Sequence, residues 1–376
     1  MKNSYSGLFR NRRVLVTGHT GFKGSWLSIW LKELGAEVIG FSLDLPTEPS
    51  NFSLSRMKSR LTDLRGDIRH FEAIERVVRE YKPEIVFHLA AQTIVSRAVT
   101  DPVETIETNL LGTVHVLEAI RTANDGSVRA LVSVTSDKCY KNQEWVWAYR
   151  ENDLLGGMDP YSASKTMAEN AVASYEKSYF PPEAYERHGL SIASVRSGNV
   201  IGGGDFGDYR IVPDCMKALM AEKPIPVRNP SSIRPWQYIL DPLSGYLCLA
   251  ARLFEGGAAL SGPWNFGPLE RKGITVQQLV GQILKIWGKG SWGQASSAAT
   301  FSEPVLVQVS WEKAANVLDW QPVYTCEEGL VETLSWFSEY QKRSQGGGKI
   351  DMYDVCIDQI HRYTDYARRC KLGWTG

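Results

Sequence analysis

An α/β fold with a doubly wound parallel sheet is predicted by three observations. Strand-like and helix-like segments alternate through the first half of the chain, a glycine-rich turn joins the first strand to the first helix, and the alternation stops near Arg196. The expected organisation is a sheet domain over residues 1–198 and a smaller, interleaved α/β unit over 199–343, some of whose segments return to the first domain. A helical extension follows over 344–376.

Arg13 to Thr17 is apolar and β-branched, the signature of a buried strand. Phe22, Trp26, Leu27, Ile29, Trp30, Leu31 and Leu34 then recur at helical spacing, which predicts a helix from Phe22 to Leu34. Glu37 to Ser42 is the second strand, with Asp44 just beyond its end. A helix is expected over Phe71 to Tyr81, a strand over Glu84 to Leu89 and a long helix over Thr105 to Ala123. Ala130 to Thr135 reads as a strand, Tyr161 to Ser178 as a helix and Ser191 to Arg196 as a strand. Such an order requires right-handed crossovers with helices on both faces of the sheet. Beyond it, Ile201-Gly202-Gly203-Gly204-Asp205 opens a region of shorter helices, isolated strands and more proline. Ser344 to Lys349, with three consecutive glycines, reads as a flexible link to a final helix, Asp351 to Arg369.

Charge is balanced at 42 basic and 42 acidic residues, so no global field points to nucleic acid or an anionic membrane. The hydrophobic fraction of 43% supports a sizeable core. No apolar run reaches the roughly 20 residues that span a bilayer, and Met1 to Arg10 lacks the apolar stretch of a signal peptide. Six cysteines occur without Cys-x-x-Cys spacing, which argues against zinc ribbons and disulfide frameworks and for a reducing, cytoplasmic setting. No metal site is expected.

The turn Val16-Thr17-Gly18-His19-Thr20-Gly21-Phe22-Lys23-Gly24 lies between a strand and a helix, where backbone N–H groups can cradle a pyrophosphate. Gly18 permits the turn, Gly21 lets the backbone approach the phosphates, and Gly24 lets helix and strand pack closely. Asp44 is placed to accept from both hydroxyls of a ribose, and its carboxylate would repel a 2′-phosphate, which favours NAD over NADP; the other reading is a plain Asp44-Leu45-Pro46 turn. Leu89-Ala90-Ala91-Gln92 ends a strand with small residues, as a backbone lying against a cofactor needs. His88 reads as a hydrogen-bonded core histidine rather than a ligand.

Tyr161 and Lys165, four apart in Tyr161-Ser162-Ala163-Ser164-Lys165, share one helical face. Tyrosine titrates near ~10 and is a poor base at neutrality. An adjacent ammonium and a cationic nicotinamide ring favour its phenolate.

Together these features resemble the extended short-chain dehydrogenase/reductase family, whose sheet is of the Rossmann type. The resemblance implies catalytic roles for Tyr161 and Lys165, with Ser136 at the end of its strand bonding the substrate oxygen. Asp137 and Lys138 follow directly, in the place where nucleotide-sugar 4,6-dehydratases carry an additional acid and base; an Asp-Lys pair resembles the branch acting on CDP-glucose. Glu144-Trp145-Val146-Trp147, Asn199 to Asp205 and Ser232-Ile233-Arg234-Pro235-Trp236-Gln237 match that branch too, and the likeness runs from about Asn11 to Trp336.

The family pattern further implies cofactor contacts at Thr20, Phe22, Lys23, Asp67, Ile68 and Thr135, the Asp67 and Ile68 pair facing adenine. It implies a substrate diphosphate held by Arg228, Arg234 and Asn199, with Gln92 and Tyr238 also at the substrate; core packing is an equal reading for Trp236 and Tyr238. In the implied reaction Tyr161 takes the C4 hydroxyl proton, Lys138 the C5 proton, and Asp137 protonates the departing C6 hydroxyl. Two departures bear on the substrate. Tyr238 stands where the branch commonly has His, and Thr93-Ile94-Val95-Ser96-Arg97 replaces a Pro-Leu-Val-Arg loop. Dehydration of another nucleotide sugar, 4-epimerisation, simple sugar oxidation and a catalytically silent sensor therefore stay open. The resemblance also implies a homodimer or homotetramer, paired through the Thr105 to Ala123 and Tyr161 to Ser178 helices.

Overall fold

Apolar strands with no polar alternation need cover on both faces, and the computed structural model supplies it. It describes residues 4–270, 272–295 and 307–375. Strands β1 (Arg13–Thr17), β2 (Glu37–Ser42), β3 (Thr62–Arg65), β4 (Ile85–His88), β5 (Ala130–Val134) and β6 (Ser191–Arg196) join a seventh strand, Gly262–Asn265, in one sheet. Every pairing is parallel, and the order is Gly262–Asn265, β6, β5, β4, β1, β2, β3. Alternate residues serve opposite faces. Val14, Val16, Ile85 and Phe87 pack into one apolar cluster, while Leu15 and Val86 pack into another with Ile74, Val116 and Ile120. Strand order reverses between β1 and β4, which places the ligand crevice beyond their carboxyl ends.

Helix α1 (Phe22–Glu33) is as expected, with Leu34 as its C-cap. The long helix expected over Thr105 to Ala123 is instead three segments: Pro102–Ile106, a π-helical turn at Glu107–Leu111, and Gly112–Ala123. The wider turn points Asn109 inward, where it is 1% exposed. The helix Cys326–Gln345 runs into the glycine-rich segment expected as a link, and the last helix begins at Tyr353. Cys356, Ile360, Tyr363 and Ala367 form its buried stripe, and Tyr363 meets Trp30 of α1 edge-on at 5.8 Å. Among the described residues no helix is long and apolar enough to cross a membrane, and no cluster could hold a metal ion. All six cysteines are free, and only Cys370 is exposed.

Candidate active site

The turn after β1 is shaped by what a side chain would strike. Gly18 has φ +74°, and a Cβ there would lie 2.7 Å from the Ala90 nitrogen; one at Gly24 would lie 2.1 Å from the Gly18 carbonyl oxygen. Gly21 is the N-cap of α1 and supplies no side-chain cap, so the first N–H groups of the helix remain available to an anion. Leu89 N donates to Thr17 O at 3.1 Å and Ala90 N to Thr17 Oγ1 at 3.3 Å, which holds the loop after β4 against the turn. Thr20 bonds Ser42 at 2.7 Å, and Asp44 is exposed just beyond β2. An open helix N-terminus, a glycine approach and a carboxylate beyond β2 fit a dinucleotide. His88 is a core histidine, bonded to Thr17 and Thr113, and burial followed by the Lys165 charge lowers it to about 3.

Ser136 caps the short turn Asp137–Cys139: its Oγ accepts from Lys138 N at 3.2 Å and donates to Asp137 Oδ1 at 3.0 Å. Neighbouring β6 anchors this turn, with Thr135 N donating to Val195 O and Asp137 N to Ser197 O. Asp159 caps the helix Pro160–Tyr179, with proline at its first position. Tyr161 and Lys165 are 8% and 4% exposed, one turn apart. Another turn on, Glu169 bonds Thr135, Ser194 at 2.8 Å and Arg196 at 2.7 Å, a buried ion pair under the lysine.

Burial dominates the electrostatics. It raises Asp137 above the usual carboxylate range, against Lys138, Ser136, Lys23 and Arg234, which is the direction a proton donor needs. It lowers Lys165 to about 8, with Glu169 opposing. Tyr161 rises to about 12 through burial; a hydrogen bond with Ser136 lowers it, Asp137 raises it, and Arg210 lowers it. Ser136 and Arg210 thus favour the phenolate against burial and Asp137.

Several expected residues take other positions. Tyr238 is wholly buried, with its hydroxyl on Gln359 of the last helix at 3.0 Å, so the expected substrate contact is corrected to a core role. The Gln92 amide is engaged at home: its Nε2 donates to Ile94 O and Thr105 Oγ1, and its Oε1 accepts from Ile94 N. Arg228 pairs with Asp214 at 2.9 Å, whereas Arg234 lies close enough for its charge to act on Asp137. Asn199 pairs with Trp236 in a two-stranded ribbon beside the site. Asp67 holds Arg69 at 2.6 Å, and Ile68 lies beneath Gly112. Lys23, expected at the cofactor, reaches the catalytic turn, where its Nζ donates to Ser197 Oγ at 2.9 Å.

Sequence reasoning missed three residues. Asn109 accepts from Gln92 N and donates to Gln92 O and Ser164 Oγ, tying the loop after β4 to the Tyr161 helix. Its only sequence signal is a polar residue in an apolar helical stretch. Arg210 pairs with Asp205 at 3.0 Å and reaches Thr93. Tyr246 bonds Ser197 at 2.7 Å.

Residues 15–251 match the family model described as GDP-mannose 4,6 dehydratase. The CDP-glucose 4,6-dehydratase of Salmonella typhimurium is 46% identical over 91% of this chain and 92% of its own. A dTDP-glucose 4,6-dehydratase of Xanthomonas campestris is 25% identical, covering 88% and 95%. The solved dTDP-glucose 4,6-dehydratase DesIV of Streptomyces venezuelae, with NAD and TYD bound, shares the fold at TM-score 0.74 and 23% identity, covering 88% and 98%. A UDP-glucose 4-epimerase of Thermus thermophilus in complex with NAD superposes at TM-score 0.71 and 26% identity, covering 87% and 99%. With its glycine turn, its Tyr161 and Lys165 pair and its Ser136-Asp137-Lys138 turn, the chain belongs to the nucleotide-sugar 4,6-dehydratases of the extended short-chain dehydrogenase/reductase family.

Proposed function

We propose that this chain is an NAD-dependent, cytoplasmic CDP-D-glucose 4,6-dehydratase that forms CDP-4-dehydro-6-deoxy-D-glucose. The observation that carries the reading is Asp137, a buried carboxyl with raised proton affinity beside Ser136 and Lys138, in the turn that meets the Tyr161 and Lys165 helix. An epimerase has no use for that acid. The Salmonella relative supports the choice of base and sugar, and six free cysteines suit a reducing compartment.

Bound NAD would supply reversible hydride chemistry between C4 and C6. Its diphosphate would rest on the N-terminus of α1, and its ribose would face Asp44. Ser136 holds the C4 oxygen while Tyr161 takes its proton, with Lys165 and Arg210 favouring the phenolate. The 4-ketone acidifies C5, whose proton passes to Lys138, half-buried and beside Asp137. Asp137 gives its proton to the C6 oxygen, which leaves as water. Lys138 then returns a proton to C5. Arg228, Arg234 and Asn199 would grip the substrate diphosphate. A homodimer or homotetramer is part of the reading: Leu111 is exposed on one of the two helices expected to pair, and Val103 and Tyr179 are exposed just beyond their ends.

Purified protein incubated with CDP-glucose should give an alkali-absorbing 4-keto product without added NAD and without accumulating reduced cofactor. CDP-galactose as the product would establish epimerisation instead, and stoichiometric cofactor reduction would establish simple oxidation.

A further inference from the structure

Dehydration, the reading on which this inference rests, makes a demand on the walls of the site. Oxidation at C4 parts the hexose from a proton, which Tyr161 holds, and from a hydride, which comes back at C6 only after water has left. A ketone that escaped in between would leave its electron pair behind, and the enzyme could not oxidise a second hexose. The site must open for substrate and stay shut over the intermediate.

One side chain joins the two rims of the crevice. The crevice lies beyond the carboxyl ends of β1 and β4, and Thr93 stands on its rim in the loop that follows β4. The other rim is the chain that runs through the strand Asn199–Ile201 to the helix Ile211–Met220. It starts beside the catalytic turn, where a Cβ on Gly198 would lie 3.1 Å from Asp137 Oδ2. Arg210 ends this stretch. Its Nη1 donates to both Asp205 oxygens, at 3.2 and 3.0 Å, and its Nη2 donates to Thr93 Oγ1 at 3.0 Å. The guanidinium is near enough for its charge to act on Tyr161 and on Lys23.

The two holds differ in kind. Asp205 is 5% exposed and makes a charge-assisted pair, and its Oδ1 also accepts from Gly207 N. Thr93 is exposed and offers a neutral hydroxyl, the weaker partner. Thr93 cannot follow a moving guanidinium, because Gln92 before it is bonded to Ile94, Thr105 and Asn109. On the other rim Asp208 and Tyr209 are exposed, and Tyr209 has φ +61°, so little packing holds the backbone that carries Arg210. We propose that Arg210 clasps the site shut over the ketone through its bond to Thr93, and opens it by releasing Thr93 while keeping Asp205.

Thr93→Val and Thr93→Ala remove the acceptor, and Thr93→Ser keeps it. Amide hydrogen exchange over residues 207–211, read on each full-length protein as purified, should quicken about tenfold in the first two and match wild type in Thr93→Ser. With CDP-glucose, the share of turnovers ending in released CDP-4-dehydroglucose and stranded reduced cofactor should rise about tenfold in the same two variants and not in Thr93→Ser. Product mass spectrometry and cofactor absorbance read that share. Unchanged exchange in both hydroxyl-free variants overturns the clasp and leaves dehydration standing. Quickened exchange with a wild-type share of stranded cofactor overturns its part in holding the ketone. Failure of wild type to form the 4-keto product overturns dehydration itself, whatever the exchange shows.

Discussion

Lys23 Nζ donates to Ser197 Oγ at 2.9 Å, which sets an ammonium from the first turn of the cofactor helix against the loop that anchors Asp137. A cation there opposes the helix dipole. Burial lowers Lys23 to about 8, Asp137 raises it, and Lys165 and Arg210 lower it. Its charge in turn favours the ionised form of Asp137. Lys23→Met should therefore let Asp137 keep its proton to higher pH. Because the acid must be protonated to work, the alkaline limb of kcat/KM is expected to move up by about one pH unit. A pH profile whose alkaline limb stays in place would separate Lys23 from Asp137.

Lys165 carries a second consequence of burial. Its folded value, about 8, is below the ordinary 10.5, so between those values the folded chain binds fewer protons than the unfolded chain. Stability is expected to rise as pH climbs through that window, and the contribution is missing below it. Lys165→Met should abolish turnover yet raise the melting temperature of cofactor-free protein at pH 7 by a few degrees. Thermal scans at pH 7 and pH 10 check both signs.

Asp137 and Lys138 divide the elimination between them. Lys138→Met should still oxidise C4 while exchange of the C5 hydrogen with solvent slows by about 100-fold or more. Asp137→Asn should exchange C5 yet hold back water loss, so reduced cofactor builds up. Deuterium incorporation followed by mass spectrometry, together with cofactor absorbance, distinguishes the two; wild-type exchange in Lys138→Met would remove it from the mechanism.

Glu169 and Arg196 form an ion pair at 2.7 Å with both side chains 3% exposed. Glu169→Gln leaves the guanidinium without its counter-charge and is expected to cost about 3 kcal/mol. Denaturant unfolding of the variant measures it, and a change under ~0.5 kcal/mol would contradict the assignment.

Gly24→Ala asks the turn to accept a Cβ 2.1 Å from a backbone oxygen, which it can do only by moving the phosphate cradle. The variant should lose bound NAD on gel filtration and be less stable by about 1–3 kcal/mol. Retention of NAD at wild-type occupancy would show that the cradle tolerates the shift.

What was legible before the fold was known shares a common origin in local geometry. Tyr161 and Lys165 meet because a helix repeats every 3.6 residues, and Ser136, Asp137 and Lys138 meet because they are consecutive. The glycine turn announces itself through conformations closed to other residues. Tyr238 misled for the complementary reason: an aromatic beside Arg234 suits a nucleotide site or a core equally, and only the last helix, arriving with Gln359, decides between them. The π turn at Asn109 was hidden because one extra residue in a turn leaves the apolar pattern almost unchanged.

The amino-acid order by itself determined the alternation of strands and helices, the dinucleotide turn, the Ser-Asp-Lys run and the Tyr-Lys pair, since each is fixed within a few residues of chain. Tertiary structure alone decided which charges face them. The β5 and β6 register, with Val134 opposite Val195, brings Ser197 to Asp137, and the packing of the helix Pro160–Tyr179 brings Glu169 to Arg196. Burial then sets where each proton rests, and burial belongs to the assembled fold rather than to any segment of it.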